Sequence, residues 1–192
     1  MPRAGLTPDK VIAEAARVAD EVGLDRLTLA AVAERFGVRV PSLYKHVDGL
    51  DGVRHGVAVL TVRELGEALG RAAVGRAGAD ALTALAAAYR AYAHAHPGRY
   101  AATLRAPDPA DAELVDASAA VLDVVFAVLA GYGLVGEDAV DATRILRASL
   151  HGFVSLEMGG GFGMSRDPDV SFRRLVEGLD AAFQRWATTM PA

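Results

Sequence analysis

No stretch of this 192-residue chain alternates apolar and polar residues with a period of two, whereas apolar residues recur three and four apart along most of its length. That periodicity puts one apolar stripe on each of a succession of helices and leaves no segment suited to a half-buried strand. The expected fold class is therefore all-α, with about nine helices.

Local punctuation sets the helix limits. Thr7 and Pro8 read as an N-cap and a first-turn proline, and Gly23 stops the helix that carries Val11, Ile12, Ala15, Ala16, Val18, Ala19 and Val22. A short helix follows Thr28, with Leu29, Val32, Ala33 and Phe36 on one face and Gly37 as its stop. Pro41 opens a third short helix through His46, and a fourth begins after Asp48 and runs toward Gly70. Residues 71–79 are the best candidate for a joint. A helix from Asp80 aligns Leu82, Leu85, Tyr89, Tyr92 and His96 before Pro97 ends it. Three further helices are expected: one to about Leu129, one from Glu137 to Gly159, and one from about Asp169.

With 52% apolar and 23% charged residues, the chain has ample material for a core. The absence of cysteine removes disulfides, thiolate metal sites and cysteine nucleophiles, and it suits a reducing cytoplasm. The first residues lack a signal-peptide pattern, and the apolar run Val121 to Leu134 is too short to span a bilayer. A cytoplasmic protein without membrane association is expected.

The second and third helices, joined at Gly37, have the proportions of a helix-turn-helix, in which the second member lies in the DNA major groove. Such a member needs a buried side, supplied by Leu43 and Val47, and an outward side, supplied by Arg39, Pro41, Ser42, Tyr44, Lys45 and His46. The run Leu27-Thr28-Leu29-Ala30-Ala31-Val32-Ala33, then Phe36-Gly37-Val38-Arg39-Val40-Pro41-Ser42-Leu43-Tyr44-Lys45-His46-Val47, resembles the TetR-family DNA-binding signature. The resemblance spans about residues 6–55. It implies that Thr28, Tyr44 and His46 contact phosphates, and that Arg39, Val40, Pro41, Ser42 and Lys45 lie at or near base edges of a palindromic operator. It further implies a helix-turn-helix domain at 1–55 and a ligand-binding, dimerising domain at 56–192. A repressor released by a small, mostly apolar effector is the expected function.

The sequence departs from the family at one informative place. The fourth helix commonly starts with a phosphate-gripping lysine, but here the segment reads Asp48-Gly49-Leu50-Asp51-Gly52. Residues 1–60 balance eight Lys/Arg against eight Asp/Glu, leaving twelve against sixteen in the remainder and a net charge of −4. Both features predict a weak backbone grip and a shallow salt dependence. An architectural DNA protein, which relies on abundant cations, is disfavoured for the same reason.

Leu150-His151-Gly152-Phe153, followed by Gly159 to Gly163, is similar to the Trp-His-Gly type of C-terminal domain, with Leu150 where the tryptophan usually stands. The resemblance implies ligand response and homodimerisation. Leu146, Leu150 and Phe153 on one helix, with Leu175, Gly178, Leu179 and Ala182 on the last, are candidates for a two-fold four-helix interface. Tyr89, Tyr92, His96, Tyr100, Phe126 and His151 are candidates for an effector pocket. Both sets also suit an ordinary core, and helical spacing does not separate the alternatives.

Catalysis and cofactors are not expected. His94 and His96 are two residues apart and fall on different helix faces, and no His-Glu-x-x-His is present. The glycines at 159–161 are followed by no lysine and preceded by no strand, so they do not form a phosphate loop. Asp108, Asp111, Glu113 and Asp116 read as the acidic start of a helix.

Overall fold

The computed structural model describes residues 5–104 and 106–189, with side chains through Trp186. Among the described residues every regular element is helical. The α-helices are α1 (Pro8–Val22), α2 (Leu29–Arg35), α3 (Gly49–Ala73), α4 (Gly78–Ala95), α5 (Pro97–Tyr100), α6 (Ala112–Ala130), α7 (Gly136–Met158) and α8 (Pro168–Thr189). A 3₁₀ segment, Val40–Lys45, follows α2 and brings the helices of four or more residues among the described residues to nine, of which α5 was not located in the sequence. Two shorter 3₁₀ turns lie at Leu24–Arg26 and Ala101–Thr103.

The third helix is thus a 3₁₀ helix. It has only six residues, Pro41 brings no N–H, and its bonds close over three residues, as from Ser42 N–H to Arg39 O at 2.9 Å and from His46 N–H to Leu43 O at 2.8 Å.

The chain forms two compact units. One contains the chain up to Glu64 together with His96–Ser118, and the other contains Leu65–Ala95 and the chain from Ala119 onward. In the first unit, the Thr7 hydroxyl caps α1 by accepting from Lys10 N–H at 3.3 Å, and Gly23 ends it at φ +89°. Val11, Ala15, Ala16 and Val18 of α1 then meet Val32 and Ala33 of α2, Leu43, and Val53 and Val57 of α3. Leu43 is completely buried, which contributes about 1.5–3 kcal/mol and anchors the 3₁₀ segment from its inner side.

In the second unit, Leu82, Leu85, Tyr89 and Ala93 of α4 are buried with Leu146, Leu150 and Val154 of α7 and Phe172, Val176, Leu179 and Phe183 of α8. Polar ties join α8 to earlier chain, these two among them. Tyr132 Oη donates to Asp180 Oδ1 at 2.6 Å, and Trp186 Nε1 donates to Asp138 Oδ1 at 3.0 Å. Burial and the bond to Asp180 push the Tyr132 phenol well above its ordinary value, so it remains a donor. No helix among the described residues is long and apolar enough to cross a membrane.

Candidate nucleic-acid interface

The reading surface is built on the turn between α2 and the 3₁₀ segment. Gly37 takes φ +62°, a left-handed conformation that costs glycine little, and its N–H reaches Glu34 O at 3.0 Å while Val38 N–H returns to Ala33 O at 3.1 Å. The chain thereby reverses within a few residues and leads into Val40–Lys45 with Leu43 directed inward.

Every other side chain of the candidate set reaches solvent to some degree. Arg39, Pro41, Tyr44 and Lys45 are exposed, Tyr44 to 60%, and Ser42 and His46 are half-buried. Val40 is half-buried against the core and offers only part of its side chain. Thr28 is exposed at the head of α2, where its Oγ1 accepts from Ala31 N–H at 3.2 Å. Its own hydroxyl hydrogen remains available for donation. A groove of about 390 Å³ flanks the segment, lined by Pro8, Ile12, Tyr44–Asp48, Gly52, His55 and Gly56.

The charges divide into spent and available. Arg17 pairs with Glu14 at 2.8 Å, and Arg35 pairs with Glu21 and, at 3.6 Å, with Glu14. Arg39 and Lys45 engage no carboxylate among the described residues. The two cations on the outward side are therefore those free to meet an anionic partner, beside neutral donors from Thr28, Ser42 and Tyr44. Such a surface can bond phosphate oxygens and present one or two cations to base edges.

The candidate effector residues do not gather in one unit. Tyr89 and Tyr92 are buried on α4, and Phe126 and His151 are half-buried on α6 and α7, all in the second unit. His96 and Tyr100 lie in the first unit. Burial and then Arg147 hold the His151 imidazole below its ordinary value, and Ser155 Oγ lies 3.2 Å from its Nδ1. No group of three or more His, Cys, Asp or Glu suited to a metal ion occurs among the described residues.

The candidate dimer residues also separate. Leu146, Leu150 and Leu179 are 2%, 1% and 7% exposed, so they are core rather than surface, and the expectation that they face a second copy is corrected. Their helical spacing identifies a shared apolar face, and α4, α7 and α8 cover that face within the protomer. Phe153 is likewise engaged internally, with its ring 4.8 Å from that of Phe162 and 5.1 Å from that of Phe172. Leu175 and Ala182 are half-buried, while Gly178 is exposed with open space where a Cβ would stand.

Two charged clusters carried no sequence signal. In the second unit, Arg90 Nε donates to Glu157 Oε2 at 2.8 Å, and its Nη2 bonds both Glu157 Oε1 and, at 2.6 Å, Asp169 Oδ1. Its guanidinium stands 4.8 Å from the centre of the Phe172 ring. In the first unit, Arg99 joins Asp20, Glu64 and His96. The carboxylate partners are far from each arginine in sequence, so no local pattern reveals either cluster.

Comparison with known proteins supplies the frame. Residues 11–47 match the family described as bacterial regulatory proteins, tetR family, and residues 82–179 match the tetracyclin repressor-like C-terminal domain. The chain is 40% identical over 186 residues to the HTH-type transcriptional regulator Rv0681 of Mycobacterium tuberculosis, covering 96% of this chain and 85% of that one. It is 34% identical over 184 residues to the HTH-type transcriptional regulator YobS of Bacillus subtilis, covering 93% and 95%. A crystal structure of a TetR variant from Acinetobacter baumannii with minocycline shares the fold at a TM-score of 0.71 and 23% identity, over 95% of this chain and 98% of that one.

Proposed function

Because the chain belongs to the tetR family of bacterial regulatory proteins, and so to DNA-binding transcriptional regulators, we propose that it is a repressor that a small, mostly apolar effector releases from a palindromic operator. Residues 1–55 read the DNA, and residues 56–192 hold the effector and pair two copies in the cytoplasm. The observation that carries this reading is the orientation of Val40–Lys45: Leu43 is buried while Arg39, Tyr44 and Lys45 stand outward and meet no carboxylate among the described residues.

The mechanism is a population shift. In a homodimer the two Val40–Lys45 segments enter successive major grooves when they are roughly 34–36 Å apart. An effector that prefers another separation lowers operator affinity by its own differential affinity for the two states. Within the second unit, Tyr89, Tyr92 and Phe126 supply the apolar wall of its site and His151 a polar group. On α8, Leu175, Gly178 and Ala182 form the face offered to the second copy, where the small residues allow close helix approach.

The test is selection of bound DNA from a random library, followed by binding of the selected site to Lys45→Ala. The wild type is expected to select a palindrome. The variant, altered at an exposed side chain, should melt normally yet lose about 1–3 kcal/mol of affinity or relax its preference at one position. Selection of no DNA, or unchanged binding by Lys45→Ala, overturns the assignment.

A further inference from the structure

The groove beside the reading segment holds more chemistry than the outward residues of Val40–Lys45 supply. Its lining brings Tyr44, Lys45, His46 and Asp48 against Gly52, His55 and Gly56 of α3, with Pro8 and Ile12 of α1 as an apolar wall. All of these residues belong to the first unit. Helices α1 and α3 meet closely beneath it, since a Cβ at Gly56 would stand 2.5 Å from Ile12 Cδ1. Neither lysine nor arginine of α3 lines the groove; Arg54 turns instead to Asp25 O at 3.4 Å. The cation-forming group that α3 brings there is His55.

His55 is held from behind. Its Nε2 lies 2.8 Å from Asp111 Oδ2, and Asp111 Oδ1 accepts from Leu114 N–H at 3.1 Å at the start of α6. Asp111 lies in the first unit as well. With side chains 41% and 23% exposed, the two partners gain little folding stability from each other. What the pair fixes is the ring. A carboxylate only accepts, so Nε2 keeps its hydrogen in either protonation state, and the proton gained or lost is the one on Nδ1. That nitrogen has no partner among the described residues. Without a proton Nδ1 is an acceptor and cannot bond an anion; with one it is a charged donor on the wall of the groove.

The charged and titratable groups around the ring are Asp111 ahead of α6, Tyr44, Lys45 and His46 at the end of the reading segment, and Asp48 ahead of α3; α1 contributes none to the lining. Lys45 and Asp48 offset each other in the groove, so its attraction for an anion turns on the imidazoles.

We infer that this groove is a site for a phosphodiester of the operator backbone and that His55 is its proton-gated donor. DNA binding takes one proton from solvent onto Nδ1 of each copy, and the N–H so formed donates to a phosphate oxygen. This role rests on the operator-reading function proposed above.

The test measures the affinity of the full chain for its selected operator at about pH 8 and about pH 6, which straddle the ordinary range of histidine, at one ionic strength. Wild type should bind about tenfold or more tightly at the lower pH, the scale of a charge-assisted hydrogen bond. Its slope of log K against log salt should steepen by about 2 there, as one further phosphate is neutralised in each copy. His55→Gln, which can still donate to Asp111 but carries no charge, should match wild type at the higher pH and gain only about threefold or less at the lower. His55→Lys, charged at both, should bind at the higher pH about threefold or more tightly than wild type. Melting curves establish which variants fold, and if His55→Gln does not, His55→Lys carries the comparison. A wild type without the gain, a folded His55→Gln that keeps it, or a folded His55→Lys with no advantage each overturns the phosphate role and leaves the operator-reading function standing. Failure of both variants to fold assigns His55 to stability and overturns the role too. A wild-type chain that selects no DNA at either pH removes the function and the role together.

Discussion

Thr28 and Tyr44 present the same chemical group to the same surface, yet their hydroxyls carry different obligations. The Thr28 oxygen already caps α2 through Ala31 N–H, whereas Tyr44 is 60% exposed. Thr28→Ala should therefore lose about 1 kcal/mol of folding stability as well as operator affinity, while Thr28→Ser keeps both. Tyr44→Phe should leave stability unchanged within about 0.5 kcal/mol. It should still weaken operator binding by about 0.5–1.5 kcal/mol, the worth of one hydrogen bond. Chemical denaturation and DNA titration on the same preparations separate the two effects, and equal losses of stability in Thr28→Ala and Tyr44→Phe would contradict the distinction. At this scale the outward residues were legible because a short helix with one buried leucine leaves its other positions little choice. Arg99 was not, since its carboxylate partners lie 79 and 35 positions earlier in the sequence.

Among the elements, apolar spacing and the Gly and Pro stops located the helices, but they identify which residues share a face and not what covers it. Leu146 and Leu150 illustrate the limit: the same stripe serves a second copy or an internal neighbour equally well, and here it is internal. The clasp that fastens the end of α7 was equally invisible, because Arg90 and Glu157 are 67 residues apart. Hydrogen bonding from Arg90, opposed by burial and reinforced by His94, lowers the Glu157 carboxyl to about 2. Arg90 in turn is held above its ordinary value and stays charged. A carboxylate so depressed contributes stability that is fully present above the ordinary value near 4.5 and is lost as the pH falls toward 2, because the unfolded chain takes up its proton first. Glu157→Gln should consequently melt below the wild type at pH 7, and the gap in Tm should close between about pH 4.5 and 2. Circular dichroism melts across that range check the sign; a gap that persists or widens in acid would contradict the assignment.

For the whole molecule, charge decides how the protein finds and holds DNA. A net charge of −4 opposes association with a polyanion, and the reading end offers few cations in compensation. Arg17 and Arg35 are neutralised by Glu14 and Glu21, and the start of α3 carries Asp48 and Asp51 where relatives commonly place a lysine. Arg39 and Lys45 remain on the reading segment, while Lys10, Arg26 and Arg54 bond the backbone carbonyls of Gly5, Val22 and Asp25. Two to three cations per protomer release correspondingly few counterions, so a dimer on its operator should show a slope of log K against log salt of roughly −4 to −5. Specificity then rests on base contacts and on the set spacing of the two reading segments, because the non-specific attraction that competes with them is weak. Titrations from low to physiological salt on the selected operator and on random DNA check this. Both should give shallow lines, with the operator line displaced upward. A slope near −10 would mean that cations outside the reading surface reach the phosphates.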